Sequence, residues 1–318
     1  MQYLIVILDE AATSFCYYPS PNRKAKLMKL EMLKEVIFFA QKEGWLLNFL
    51  VGDNTLPKEY METIDVINHI LLTPLSYPQD NVDNVMVLND DQCRELDNIP
   101  DNPDKNVILR VRKENLSSLY TLVKSLNGKF RRLNITLENI DLFNEKDLNL
   151  YEQQLNHLSQ LYINQSNKET PFEINIVSDR LFLHQMNNCD AGVKHITFAP
   201  NGNFYICPAF YYEDINNECG NLKTGINIKN SQLLRLDHAP ICRVCDAYHC
   251  KRCVWLNKKT TFNVNTPSHE QCIVSHIERN MSRNVLERLH QNNIIPDIVI
   301  ESIDYLDPFD NINKRKNI

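Results

Sequence analysis

The sequence predicts an α/β fold: a partial barrel of mostly parallel strands, followed by a small cysteine-rich domain. Two observations predict it. Over the first 180 residues, apolar β-branched runs alternate with segments of helical period, the pattern of strands joined by crossover helices. Beyond residue 180 the periodicity weakens, and Cys, His, Asn and aromatic residues accumulate. Small irregular domains of that texture lean on metal in place of a core.

The elements follow in order. Leu4 to Leu8 reads as a buried strand, and Lys24 to Lys42 as a helix with Leu27, Leu30, Leu33 and Val36–Ile37 on one face. Trp45 to Val51 is a second strand closed by Gly52. Further strands are expected at Ile67–Leu72, Val85–Leu88, Val107–Val111, Leu133–Leu137 and Phe172–Val177, with helices at Asn115–Leu126 and Glu145–Leu161. Pro200-Asn201-Gly202-Asn203 is a hairpin turn between Ile196–Phe198 and Phe204–Ile206. Ser268 to His290 reads as a helix whose N-cap is Ser268, with Gln271 placed to complete a capping box. Domain boundaries fall at 1–180, 181–280 and 281–318, the last being the helix end and an extended tail.

Composition narrows the function. Of the 318 residues, 43% are hydrophobic, enough for a true core, and the formal net charge of −6 argues against a nucleic-acid partner. No apolar run reaches the roughly 18 residues of a membrane span. The most apolar stretch, Val36 to Leu50, is broken by Gln41, Lys42 and Glu43. The N-terminus has no basic region before Asp9 and reads as a strand, not a signal peptide, so a cytoplasmic location is expected. In that reducing setting, ten cysteines point to metal, not disulfides.

Eight of the ten lie between residues 189 and 272. Cys189 precedes Gly202-Asn-Phe-Tyr-Ile-Cys207 by twelve residues. Then comes Cys242-Arg-Val-Cys245-Asp-Ala-Tyr-His-Cys250-Lys-Arg-Cys253, and finally Cys272. A Cys-x-x-Cys step lets two soft thiolates of one turn reach the same metal or cluster. Two such pairs suffice for one tetrahedral zinc site. A single zinc, however, leaves Cys189, Cys207 and Cys272 without a role. Seven placed cysteines plus Cys219 suit two four-iron clusters with four ligands each.

The order of these cysteines resembles the SPASM pattern, Cys–x₉₋₁₅–Gly–x₄–Cys, Cys–x₂–Cys–x₅–Cys–x₃–Cys, Cys. The second element here is one residue short in two places. The resemblance implies one cluster on Cys189, Cys207 and Cys253, with Cys219 the local candidate for a fourth ligand. It implies another on Cys242, Cys245, Cys250 and Cys272. SPASM domains follow radical SAM barrels, whose first loop carries Cys-x-x-x-Cys-x-x-Cys. Here that loop holds Cys16, then Ser20 and Arg23 at the other two places, and the second strand ends Val51-Gly52-Asp53-Asn54. One thiolate cannot hold a cluster with an iron left open for SAM, so no SAM chemistry is expected.

The whole chain resembles the CXXX repeat peptide maturases. The resemblance rests on the opening Leu-Ile-Val-Ile-Leu-Asp…Ser14-Phe15-Cys16-Tyr17, on His249-Cys-Lys-Arg-Cys-Val-Trp-Leu-Asn257, and on Asn265-Thr-Pro-Ser-His-Glu-Gln-Cys272. It implies a radical-SAM-like barrel with a degenerate SAM site. It also implies a role in maturing a cysteine-rich ribosomal precursor peptide, alongside an active radical SAM enzyme. A zinc-stabilised peptide-binding module without redox chemistry is the alternative.

Other residues weigh less. His249 and His269 flank cluster cysteines and read as donors to sulfur more than as ligands. Lys251, Arg252, Lys258 and Lys259 form a basic patch that suits an anionic cluster or a solvated loop. Trp255 is expected to shield the metal. Tyr205, Phe210, Tyr211 and Tyr212 read as strand-face core or as a peptide-docking edge, and Cys16 as a packed core residue.

Overall fold

A computed structural model describes residues 1–78, 84–94, 99–166 and 172–294. Along the chain come β1 (Tyr3–Ile7), α1 (Leu30–Glu43), β2 (Leu46–Leu50), α2 (Lys58–Ile64), β3 (His69–Pro74), β4 (Asn84–Asn89) and β5 (Asn102–Val111). Next are α3 (Leu119–Leu126), β6 (Phe130–Leu137), α4 (Glu145–Gln165), β7 (Glu173–Ile174), α5 (Asn175–Ser178), β8 (His195–Phe198), β9 (Phe204–Tyr205) and α6 (Pro208–Glu213). Two short strands, β10 (Gly220–Asn221) and β11 (Gly225–Ile226), precede α7 (Val254–Thr261) and α8 (His269–Gln291). The expected tail, 295–318, lies outside the described residues.

The chain divides into two compact units. The first takes Met1–Leu88 and Asp190–His238; the second takes Asn89–Cys189 and Ala239–Ile318. Residues of the cysteine-rich stretch thus contribute to both.

In the first unit, β1 is parallel to β2 and β8, β2 to β3, and β3 to β4, while β8 and β9 close an antiparallel hairpin. The hairpin turn is as expected, with Gly202 in the left-handed region at φ 87°. Central parallel strands are covered on both faces, which explains the unbroken apolar run Leu4 to Leu8. Helix α1 buries Leu33, Val36, Ile37 and Ala40, one stripe of a 3.6-residue period. Leu33, Val36 and Ile37 each contribute about 1.5–3 kcal/mol by leaving water.

The expected helix start at Lys24 is corrected to Leu30. Residues before it are held extended, because the buried Asp9 carboxylate accepts the Lys26 N–H at 2.9 Å and Asp9 bridges Leu27.

In the second unit, β5, β6 and β7 are parallel, and α4 packs its Tyr151, Leu155 and Leu158 face inward. Helix α4 starts from a complete capping box between Asn144 and Asp147. The strand expected at Phe172–Val177 is only two residues long. Asn175 then replaces the backbone ladder with its amide: Oδ1 accepts the Ile135 N–H at 2.7 Å and Nδ2 donates to the Ile135 carbonyl at 3.0 Å. The chain turns into α5 from that point. The expected helix start at Asn115 falls within a 3₁₀ segment, Lys113–Ser118, and α3 begins at Leu119.

Ser268 caps α8 as expected, accepting the Gln271 N–H at 3.2 Å. The box is half made, since Gln271 Oε1 finds no hydrogen-bond partner. No helix among the described residues is long and apolar enough to cross a membrane.

Candidate metal centre

Four thiols meet in the second unit. Cys242, Cys245, Cys250 and Cys272 line one cavity, together with Arg252, Gln271, Ser275 and His276. Local turns aim them. Residues Cys242–Val244 form a 3₁₀ turn, with the Cys245 N–H on the Cys242 carbonyl at 3.2 Å. A second turn puts the Cys250 N–H on the Ala247 carbonyl at 2.9 Å. Cys272 sits in the first turn of α8, where the N-terminal end of the helix favours a thiolate.

Backbone amides face the sulfurs. Ala247 N–H points at Cys245 Sγ (3.4 Å), Arg252 N–H at Cys250 Sγ (3.5 Å) and Leu256 N–H at Cys253 Sγ (3.4 Å). Such donors stabilise metal-bound thiolates and tune cluster potentials. The chain turns between Cys250 and Cys253 through Arg252, a non-glycine residue at φ 42° whose side chain is buried. Arg252 Nη1 reaches Asn265 Oδ1 at 3.2 Å.

Burial pushes the Cys242, Cys245 and Cys253 thiols up to about 12. It raises Cys250 too, against hydrogen bonds from Ser275 and the Arg252 N–H. Thiols so placed hold their protons until a cation compensates the thiolate. The donor set, four cysteines around one cavity with backbone N–H groups on two of the sulfurs, is chemically that of a soft metal. The free space among them is about 30 Å³, room for about one water. Among the described residues, no three His, Cys, Asp or Glu side chains converge on a single ion. The thiols line a space without closing on a point.

The flanking histidines differ. His249 is buried, with Nε2 2.9 Å from Glu278 Oε2, and Tyr151 donates to the other Glu278 oxygen at 2.5 Å. His269 is half exposed and lies beside Glu270. His276, which sequence reasoning passed over, brings Nε2 to 3.6 Å from Cys245 Sγ. Its signal was present as the i+4 partner of Cys272 on one helix face. Of the basic patch, Arg252 is buried, and Lys259 reaches Asp141 at 3.0 Å and the Trp255 ring at 5.5 Å.

The other predicted ligands are distributed. Cys189 and Cys253 belong to the second unit; the Cys189 N–H donates to the Lys251 carbonyl at 2.8 Å, and its thiol is near enough to oppose ionisation of Cys253. Cys207 and Cys219 belong to the first unit. Cys207 precedes α6, and Cys219 packs in the apolar core, its thiol pushed up to about 12 by burial. Cys93 is likewise buried and pushed up to about 12, the mark of an inert core thiol.

In the first unit, the loop after β1 is occupied by its own side chains. Arg23 Nη1 donates to Glu10 Oε2 at 2.9 Å, and Tyr211 OH donates to the same oxygen at 2.6 Å. The Arg23 guanidinium lies over the Tyr211 and Tyr212 rings at 4.6 and 5.1 Å. Tyr18 stacks on Tyr212. Burial raises the Tyr18 phenol, and Cys16 and Cys207 are near enough to add to that effect.

The tyrosine-rich segment offers no open strand edge. Tyr205, Phe210 and Tyr211 are buried, Phe204 O accepts the Cys219 N–H at 2.7 Å, and Pro208–Glu213 is helical. Tyr205, Phe210 and Tyr211 are core as expected, but only Tyr205 lies on a strand, since Phe210, Tyr211 and Tyr212 lie in α6, which removes the strand edge for docking there.

No family profile and no curated protein sequence matches the chain. Among solved structures, it is similar to polyhistidine-tagged anSMEcpe with bound AdoMet, at 12% identity and TM-score 0.60, over 92% of this chain and all of that one. That likeness bears out the radical-SAM-like α/β fold class. It is also similar, at TM-score 0.42, to Streptococcus suis SuiB, with 14% identity for SuiB bound to the precursor peptide SuiA and 13% for SuiB itself. The match spans 67% and 74% of this chain, and 61% and 65% of SuiB.

Proposed function

We propose that this chain is an iron–sulfur accessory factor in peptide maturation, with a SPASM-like region at 181–280. It binds a cysteine-rich ribosomal precursor peptide and assists its modification without cleaving SAM itself. The observation that carries the reading is that Cys242, Cys245, Cys250 and Cys272 all line one cavity, the four residues that the SPASM resemblance groups together. A bound cluster would supply electron relay or a soft site for a substrate thiolate. The chain's own residues supply the rest: four sulfurs, backbone N–H groups on two of them, and a helix N-terminus under the fourth. Cys189 and Cys253 belong to the second cluster of that reading.

The absence of SAM chemistry is supported by the first loop. Ser20 and Arg23 stand where two cluster cysteines would be, and Arg23 is engaged by Glu10, Tyr211 and Tyr212. The peptide partner and a companion radical SAM enzyme rest on the family resemblance. A single structural zinc is the second reading, favoured by the small free volume between the thiols.

Titrating a peptide of Cys-x-x-x repeats, and its Cys-to-Ser version, against the metal-loaded protein tests the proposal. Tighter binding of the cysteine peptide supports thiolate ligation. Equal affinity excludes it, and no binding to either removes the peptide.

A further inference from the structure

The loop that carries Cys242, Cys245 and Cys250 and the helix that carries Cys272 are separate elements. A buried carboxylate joins them. Asp246, next to Cys245, is 1% exposed; its Oδ1 accepts from Arg279 Nη1 at 2.9 Å, and its Oδ2 accepts from Arg283. Arg279 is itself fully buried. Arg180 fixes the same residue from a third direction. Its Nε donates to the Asp246 carbonyl at 2.6 Å, its Nη2 lies 3.9 Å from the carboxylate, and its guanidinium covers the Tyr248 ring at 4.3 Å.

Helical spacing puts these contacts in line with the fourth thiol. His276, Arg279 and Arg283 follow Cys272 by four, seven and eleven residues in α8, and so share its face. Cys245 and Asp246 read that face in register, the thiol against His276 at 3.6 Å and the carboxylate against Arg279. A slip of one helical turn would break all of these at once and move Cys272 by about 5.4 Å.

We propose that Asp246 is a positioning residue, holding the Cys242–Cys250 loop in register with Cys272 so that the four cysteines border one cavity and close on the metal when it binds. This rests on the metal-centre reading above. Partners of this kind, one shell out from the ligands, are worth about 10–100-fold in metal affinity.

The test compares the full-length wild type with D246N, R279K and the double variant. Each is reconstituted anaerobically with ferrous iron and sulfide. Iron release to a chelator is timed, and the paramagnetic resonance spectrum of the reduced protein is recorded. D246N should release iron at least about 10-fold faster, with an altered spectrum, and the double variant should be no worse than D246N. Wild-type release and spectrum in D246N overturn the proposal. If D246N does not fold, R279K, which keeps the charge and loses the forked geometry, carries the same comparison.

Amide exchange of the metal-free proteins separates the two claims. Should the wild type take up no iron, the iron–sulfur reading fails. Exchange still decides this one: faster exchange of residues 239–253 in D246N supports it, and equal protection overturns it.

Discussion

Arg23 lies over the ring of Tyr211 at 4.6 Å, and both donate to one oxygen of Glu10. The Arg23 cation thereby ties the loop after β1 to α6. The guanidinium is held by one carboxylate and two aromatic faces.

The protein alone should make no 5′-deoxyadenosine from SAM with dithionite. Turnover clearly above buffer would place a SAM site elsewhere in the chain. Arg23→Ala should cost about 1–2 kcal/mol of stability by denaturant titration, since Arg23 is a structural tie in this account.

Replacing Cys242 and Cys245 together by Ala should loosen residues 239–253, because metal-binding free energy is folding free energy where no large apolar core exists. Limited proteolysis should show new cuts there and leave the β1–β3 core protected. Unchanged protection of the C-terminal third would count against a metal-dependent fold.

The second unit should lose stability in acid. Burial opposes ionisation of Asp90, yet hydrogen bonds from Arg112 and Asn115 outweigh it and hold the carboxylate below its ordinary value. A folded value below the unfolded one gives stability that is complete above the unfolded value, near ~3.9. It is lost as pH falls through the folded value. The stability difference between wild type and Asp90→Asn should thus stay constant above about pH 5 and shrink below about pH 4. A difference that grows on acidification would contradict the assignment.

Asn175→Ala should cost about 1–3 kcal/mol. It leaves the Ile135 N–H and carbonyl without the amide that pairs with both. A loss under a few tenths of a kcal/mol in thermal or denaturant unfolding would mean that water replaces that amide freely.

Much of the fold was legible because its signals are local. Leu4 to Leu8 and Leu133 to Leu137 announce buried strands by composition, Gly202 announces the hairpin, and Ser268 announces α8. What sequence missed is made by side chains reaching across the chain. The Lys24–Lys29 stretch has helical period but is pinned by Asp9, and β7 ends early because Asn175 substitutes for backbone. At the candidate site, the SPASM resemblance grouped the four cysteines that line one cavity. Nothing in spacing reveals that Asp246 meets Arg279 and Arg180, partners 33 and 66 positions away.

The central claim is a cluster on Cys242, Cys245, Cys250 and Cys272, and the metal content of anaerobically purified protein tests it most directly. A brown protein with broad charge-transfer absorption, iron and acid-labile sulfide in equal amounts, and a clear loss of iron and sulfide in Cys272→Ser is the result expected. A colourless protein holding one tight zinc per chain would contradict it.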